Sequence, residues 1–556
     1  MSDKNRVYGI DLGTTYSCIA YVDDSGKATV VPNSEGQTTT PSVVYFEGPG
    51  KIVVGRTAKD VAEMYPDKVV STVKRAMGDA DWVFDADGNT YHPQDISSFV
   101  LRKLVADAEI ATGDKITDVV ITCPAYFGVN QKEATRQAGV LAGLNVRYVI
   151  PEPTAAALAY GMEQTDEQVV LVYDLGGGTF DITVLEIKRD TITVICTGGD
   201  HDLGGKNWDE TIAAWFAEQF SLSTNIPADQ VIGDPEVWQE LMDGAENAKI
   251  TLSSRESYTQ KVRYDTGRAS VELTRAKFDE LTLGFLERTL SLTEQLLETA
   301  REKGYSKIDH LLLVGGSTYM PQVKDAVKAK FPFDIQQYDP NQAIARGAAL
   351  FGFKCALTDE IKIILAQQTG QTADSVDLEK VSAAELKKAE QAVAQSYGLP
   401  ATSMDALTHK TIRNVSSKSF GIMVQTDDGL KIKNLIVTNQ QVPCTISRVF
   451  GTFADNQTGV NLQCFENLST EGPDGECLDP AAGTEVGSAE LSFTRAVPKG
   501  SPVEISFSLA EDGLLSVHGK DLTTNCEMDA EFKTASIMTT EELDAAASRN
   551  LGMIVE

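Results

Sequence analysis

Two short stretches of this chain carry the residue types that phosphate chemistry needs. One is Val7-Tyr-Gly-Ile-Asp11-Leu-Gly-Thr-Thr-Tyr-Ser-Cys-Ile-Ala, the other Val169-Val-Leu-Val-Tyr-Asp174-Leu-Gly-Gly-Gly-Thr-Phe-Asp181-Ile-Thr-Val. Each reads as an apolar strand, then Asp-Leu-Gly, then small and threonine residues, then a second strand: a β-hairpin with a glycine-rich turn. A nucleoside triphosphate needs N–H donors for its oxygens, a divalent cation, and a group that orients the attacking water. Glycine turns let the backbone approach closely and present N–H groups in a concave nest. Aspartate at a strand end can hold magnesium, usually through water, because that ion gives up its waters reluctantly. The sequence contains no G-x-x-x-x-G-K-[ST], so a P-loop enzyme is excluded.

The elements that must hold these turns follow from periodicity. From residue 6 to about 355, strand-like and helix-like stretches alternate, which is the signature of an α/β architecture. The two related hairpins imply two similar lobes, and 1–356 is read as one nucleotide-binding domain. Residues 357–408 change character. Glu360 to Ala366 starts helix-like, Gln367-Gln-Thr-Gly-Gln-Thr-Ala reads as a loop, and Ser382-Ala-Ala-Glu385 fits a capping box. Leu386, Ala389, Val393 and Tyr397 follow at helical spacing until Gly398-Leu-Pro400 stops them. This predicts a small helical insertion or linker. From 409 to 538 short alternating runs, such as Leu430-Lys-Ile-Lys-Asn-Leu-Ile-Val, recur between turns, one of them Glu511-Asp-Gly513; this predicts a β-sandwich. Thr539-Thr-Glu-Glu542 is a second capping box and predicts one short helix within 539–556.

Composition narrows the partners. With 42% hydrophobic residues in 556, the chain can bury several cores and is not globally disordered. Its 49 Lys and Arg against 80 Asp and Glu leave a net charge of −31. That surface repels phosphate backbones and anionic headgroups, so neither nucleic acid nor membrane is an expected partner. The eight cysteines form no C-x-x-C pair and no zinc spacing, and only five histidines are present. The thiols, Cys18 beside the first hairpin included, read as reduced and mostly buried. The N-terminus lacks a signal-peptide pattern and no apolar run reaches about 18 residues, so a cytoplasmic location is expected.

Further strings make a close match to a known family. Ile121-Thr-Cys-Pro124-Ala-Tyr-Phe127, Pro151-Glu152-Pro-Thr-Ala-Ala-Ala-Leu-Ala-Tyr-Gly161, Gly199-Asp200 through Leu203-Gly204-Gly205, Leu313-Val-Gly315-Gly316-Ser-Thr, and Asp339-Pro through Gly347-Ala-Ala resemble the heat-shock protein 70 (DnaK) family across 6–355. The resemblance implies a two-lobed actin-like ATPase domain that uses ATP and Mg2+. It implies that Asp11 and Asp181 surround the magnesium and its waters, and that Asp174 helps position the water and the ion shell. Lys74 resembles the lysine that meets the γ-phosphate and attacking water, Glu152 the glutamate coupled to it, and Thr179 the hydroxyl beside the phosphates. A lone lysine is usually a solvated surface charge; only context overturns that for Lys74. Gly13, Thr14, Thr15, Tyr16, Gly176, Gly177, Gly178, Gly204, Gly205, Gly315, Gly316, Ser317 and Asn341 fall at implied nucleotide contacts. Glu246, Lys249 and Ser253 resemble adenosine-facing residues. Pro124 and Lys132 resemble a relay that passes the nucleotide state onward.

The β region also resembles that family's peptide-binding domain, through Ser419-Phe-Gly-Ile422, Val442-Pro443, Val449-Phe450 through Ala454-Asp455-Asn456-Gln457, and Gly513-Leu-Leu-Ser-Val-His-Gly-Lys-Asp521. Ile422, Phe450, Val460 and Leu462 fall at the apolar pocket, although ordinary sandwich core explains them equally well. Phe453 stands where a small residue usually arches over the peptide. Several positions depart from the family pattern. Lys132 replaces an arginine, Tyr319 an arginine over the adenine, and Lys206-Asn207 an acidic pair. Lys188-Arg189-Asp190 puts basic charge in a turn near where J-domain co-chaperones often dock. His409-Lys-Thr-Ile-Arg-Asn-Val415 stands in place of an acidic-leucine linker, and the family's long helical lid is expected to be missing.

The expected activity is therefore slow ATP hydrolysis that controls binding of exposed apolar, extended or unfolded polypeptide, as in a stress-response chaperone. A J-domain co-chaperone and a nucleotide exchange factor are the implied partners. The alternative is a nucleotide-gated interaction module with one dedicated partner. A small-molecule kinase of actin-like fold is the third and weakest reading.

Overall fold

The computed structural model describes residues 6–162, 166–398, 404, 407–510, 513–531 and 537–556. Two lobes are built as the sequence predicts. In lobe I the strands run in the order Asn145–Pro151, Asp118–Cys123, Val7–Asp11, Tyr16–Val22, Ala28–Val31. In lobe II the order is Asp334–Gln337, His310–Val314, Gln168–Leu175, Phe180–Ile187, Thr191–Asp200. The central strands Asp118–Cys123 and Gln168–Leu175 are mostly apolar and buried on both faces, as strands with parallel neighbours in a helix-covered sheet must be. Helices Glu152–Gly161 and Ala343–Thr369 lie where the lobes join, and their alanines and leucines share one core.

Three boundaries differ from the sequence reading. Helix Ala343–Thr369 runs unbroken through 356 and 357, so nothing in the backbone separates the lobes from the insertion there. Helix Ala383–Tyr397 follows, with Ser382 Oγ accepting from the Glu385 amide at 3.3 Å and Gly398 closing it at φ 70. Val376, Ala389, Val393, Met404 and Leu407 of this region join the inter-lobe core, which makes it packed structure and not a loose tether; Leu399–Pro400 lie outside the described residues. Second, Thr411–Val415 does not open the sandwich. It adds in parallel to Thr191–Asp200 of lobe II and pairs on its other side with Gln441–Val442. The register of a long-range pair is set by partners far away in sequence, which local pattern does not report.

The sandwich packs Ser419–Thr426, Gly429–Ile436, Gln457–Asn467 and Thr484–Val497 against Cys444–Gly451, Pro502–Leu509, Leu515–Asp521 and Glu527–Glu531. Of the predicted Asp-Gly turn, Glu511 and Asp512 lie outside the described residues. Third, helix Thr540–Leu551 has the predicted capping box, but a strand, Ile554–Val555, follows it and joins a sheet of lobe I.

Candidate active site

The two hairpins meet across the cleft. Asp11 ends one strand opposite Cys18, and Asp174 pairs with Asp181 in the other hairpin. A Cβ on Gly177 would stand 1.9 Å from Thr15 Oγ1, and one on Gly178 2.4 Å from Thr14 Oγ1. Only glycine permits that approach. Gly315, at φ +83, similarly brings its backbone against Asp174, where a Cβ would meet Oδ1 at 2.4 Å. Between them lies a cavity of ≈ 420 Å³ lined by Asp11, Gly13, Thr14, Thr15, Tyr16, Lys74, Glu152, Asp174, Gly176, Gly177, Thr179, Glu246, Lys249, Gly315, Gly316, Ser317 and Asn341. That size is ordinary for a small-molecule site.

Three carboxylates, Asp11, Glu152 and Asp174, and one ammonium line its buried floor, and a fourth carboxylate, Asp181, lies buried beside Asp174 without lining the cavity. Lys74 is 6% exposed and ion-pairs with Glu152. Burial opposes the lysine's charge, but Glu152 and Asp11 outweigh it and hold the ammonium above its ordinary range. Asp11 is pushed up to about 7 by burial and by the charge of Glu152, with Lys74 and a 3.3 Å bond from Thr122 Oγ1 acting against that. Asp181 is likewise raised to about 7 by burial and Glu152, although the Tyr126 amide donates to its Oδ1 at 3.2 Å. Asp174 is raised further, by burial and then by Glu152, Asp181 and Asp11. Its Oδ2 is buried without a hydrogen-bond partner. Excess negative charge and an orphaned carboxylate oxygen fit a hard divalent cation with oxygen ligands, which is the chemistry of magnesium.

Cross-cleft contacts hold the lobes together. Arg75 Nε donates to the Gly178 carbonyl at 3.0 Å and Nη2 to Asn207 Oδ1 at 2.9 Å. Asn207 also caps its own helix by accepting from the Gly204 amide at 2.8 Å. Lys206 Nζ reaches Thr72 Oγ1 at 3.1 Å. The two residues that replace an acidic pair therefore act as bridges. Glu246 is held by Lys59 and by the Tyr16 hydroxyl at 3.2 Å, and Lys249 pairs with Asp209 at 2.5 Å. Ser253 lies apart from the cavity, donating to the Lys249 carbonyl at 3.2 Å. Tyr319 lines the cavity at 49% exposure, open to stack on a ring. Cys18 also lines it; burial raises the thiol well above its usual range, and it remains an inert neutral group. Sequence reading did not find Lys59 or Arg75, although Arg75 is the neighbour of Lys74.

The segment after Pro124 joins this floor to the sandwich. Past the Tyr126 amide on Asp181, the Val129 amide at the next helix start donates to Glu466 Oε2 at 3.4 Å. Lys418 Nζ sits 4.3 Å over the Tyr126 ring, and Ser417 Oγ donates to the Phe127 carbonyl at 3.1 Å. Lys132 packs over Gly513, where a Cβ would stand 3.0 Å from its Nζ. Ser417, Lys418, Glu466 and Gly513 all lie beyond the linker strand. In the sandwich itself, Ile422 and Leu462 are buried at 3% and 5%, Phe450 and Val460 are half-buried against the same core, and Phe453 is 60% exposed.

Comparison with known proteins agrees over nearly the whole chain. The family model described as Hsp70 protein matches residues 7–363 and 400–553, leaving unmatched the stretch between them that includes helix Ala383–Tyr397. A chaperone protein DnaK of Thermosipho melanesiensis is 36% identical over 535 residues, which is 95% of this chain and 80% of that protein.

Proposed function

The chain belongs to the Hsp70 protein family, and from that premise we propose how its parts work. It is an ATP-dependent chaperone and an ATPase, with a two-lobed ATPase region followed by a β-sandwich. Our reading of the site assigns the terminal phosphates to the Thr14-Thr15 and Gly176-Gly177-Gly178-Thr179 turns. Magnesium, held by Asp11 and Asp181 largely through its waters, would supply charge neutralisation at the phosphate oxygens. Lys74, fixed by Glu152, is aimed at the γ-phosphate and the attacking water, and Asp174 orients that water. With water as the attacking group, turnover is a matter of positioning and electrostatics. Tyr319 stacks on the base, opposite the side held by Glu246 and Lys249.

Hydrolysis is coupled to the sandwich through residues 124–132. The observation that carries this is the pair of contacts on one short segment: its Tyr126 amide holds Asp181, and its Val129 amide is held by Glu466. A shift of the metal carboxylate on hydrolysis moves Tyr126, and Lys418 and Glu466 feel it. The sandwich then changes its affinity for extended apolar peptide, held by strand-edge hydrogen bonds and a pocket around Ile422, Phe450, Val460 and Leu462 beneath Phe453. Such coupling is reciprocal. A J-domain partner would meet lobe II near Lys188-Arg189-Asp190, beside the linker strand, and an exchange factor would open the cleft. The described residues include no helix long and apolar enough to cross a membrane; with the acidic surface, this supports a cytoplasmic location.

The test is steady-state ATP hydrolysis with and without a short apolar peptide at fixed magnesium, with Lys74→Ala as the control for the assay. Stimulation by peptide supports coupled sites. Turnover indifferent to peptide would replace this reading with the nucleotide-gated module.

A further inference from the structure

Lys74 sits in a short helical turn of lobe I, Val73–Ala76, that is tied to lobe II at both ends. At one end stands Thr72, with a left-handed backbone at φ 56 and ψ 22. A β-branched residue is costly there, and such a conformation persists only where its surroundings hold it. One holding group reaches across the cleft: Lys206 Nζ donates to Thr72 Oγ1 at 3.1 Å. At the other end, Arg75 donates to the Gly178 carbonyl and to Asn207. The backbone of Lys206 is bonded as well. Its amide donates to Gly177 O at 2.8 Å, next to the Gly205 amide on Gly176 O at 3.0 Å. A single residue thus bonds the glycine turn of lobe II with its amide and the lead-in to Lys74 with its ammonium. Lys206 and Thr72 also line, with Thr14 and Thr15, a second cavity of ≈ 200 Å³. The other ionic partner of Lys206, Glu210, is more distant at 3.7 Å and lies on its own helix.

We propose that Lys206 is a positioning residue for hydrolysis: acting through Thr72, it sets where Lys74 stands relative to the Gly176-Gly177-Gly178 turn. This rests on the reading of Lys74 as the group that meets the γ-phosphate and the attacking water. Glu152 holds the ammonium of Lys74 itself; Lys206 holds the backbone turn from which that side chain springs. Catalysis by positioning is sensitive to such a support, since a misplacement of about 1 Å costs on the order of 10²-fold in rate. Lys206 stands where the family pattern has an acidic residue, so a lysine tie at this place is the chain's own. The rival account is that an ammonium beside Thr14 and Thr15 acts on the phosphates by charge alone. Thr72 separates the two, because removing its hydroxyl breaks the tie and leaves the charge.

Single-turnover hydrolysis of Mg-ATP by the full chain tests it, with nucleotide affinity titrated separately and the unfolding midpoint checked for each variant. Lys206→Met, which keeps the stem and the backbone bond to Gly177, should slow hydrolysis by about tenfold or more while the affinity for Mg-ATP and the midpoint stay as they were. Thr72→Val, equal in shape but without the hydroxyl, should slow it as much. Because both act through one bond, the double variant should be no slower than either single one. Lys206→Arg keeps a donor on a long stem and should retain most of the rate. Full rate in Lys206→Met would overturn the proposal. So would full rate in Thr72→Val beside a slow Lys206→Met, losses that multiply in the double variant, or an affinity that falls as far as the rate, each of which would leave Lys206 acting by charge on the nucleotide. Lys74→Ala in the same assay keeps the two readings apart. If it is inactive while Lys206→Met is not, only this inference fails; if it retains full rate, the assignment of Lys74 fails first.

Discussion

In the cleft the residues that matter are polar and buried; in the sandwich they are apolar, and either buried or exposed. The contrast explains why the two regions yield so unequally to a reading of residue types. A buried Lys74 against Glu152, or three aspartates pushed toward neutrality together, has no cheap structural explanation, because desolvating charge is expensive. Ile422 and Leu462 need no function to explain their burial, since a sandwich core would place them identically. Polar burial is a signal of chemistry, and apolar burial is a signal only of folding.

The sharpest break of that comparison is at Lys74. Replacing it by alanine removes the cation aimed at the phosphate and leaves Glu152 buried beside three aspartates. The expected losses are about 10²–10³-fold in kcat and about 3–5 kcal/mol in stability. Single-turnover hydrolysis and denaturant unfolding measure the two separately. Adding Glu152→Gln should restore most of the stability and none of the rate. Recovery of rate as well would mean that the pair is structural. Next in size is Leu462→Ala, with Ile422→Ala beside it. As core residues they should cost about 2–5 kcal/mol each, read from the sandwich's unfolding midpoint, with basal ATP turnover unchanged. A cost under about 1 kcal/mol, together with lost peptide binding, would show pocket without core.

The acidic floor makes a pH prediction. Asp11 and Asp181 have folded values near 7, above the ordinary carboxylate range. A raised carboxyl binds its proton more tightly when folded, so its contribution to stability falls as pH rises from about 4 to about 7. Without magnesium the protein should therefore lose thermal stability across that window. Added Mg2+ should raise Tm more at pH 8 than at pH 5.5, and Asp174→Asn should shrink that difference. An equal shift at both pH values would place the cation elsewhere.

How much was legible in the sequence follows the same division. Asp11 and Asp174 stood out because Asp-Leu-Gly follows an apolar strand at both, whereas the roles of Asp181, Lys74 and Glu152 were read only from the resemblance carried by the strings around them. The bridges Arg75 to Asn207 and Lys59 to Glu246 were not legible, since each pair is joined only by closing two lobes. The same holds for Thr411–Val415, which looks like a short linker but folds as a strand of lobe II, and for Ile554–Val555, two residues whose partner strand lies some five hundred positions away. The side-chain N-cap at Ser382 and the capping box at Thr539 were legible because both partners sit within one turn. Local rules report local bonds; register and lobe closure are tertiary.

Phe453 is where the two kinds of burial can be told apart by the smallest effect. At 60% exposure it contributes little to the core, so Phe453→Ala should move the unfolding midpoint by no more than about 0.5 kcal/mol. Its backbone is fixed by Gln457, whose Oε1 accepts from the Phe453 amide at 3.2 Å and from the Ala454 amide at 3.4 Å, so the loop should survive the change. If the ring closes over a bound chain, its loss should weaken binding of an apolar peptide several-fold, chiefly through faster dissociation, and should widen the range of side chains accepted beneath it. Fluorescence anisotropy with peptides carrying Ala, Leu or Phe at the central position measures both. An exposed apolar residue that costs neither stability nor affinity when removed would take Phe453 out of the site, and with it the only member of the proposed pocket whose position ordinary packing does not explain.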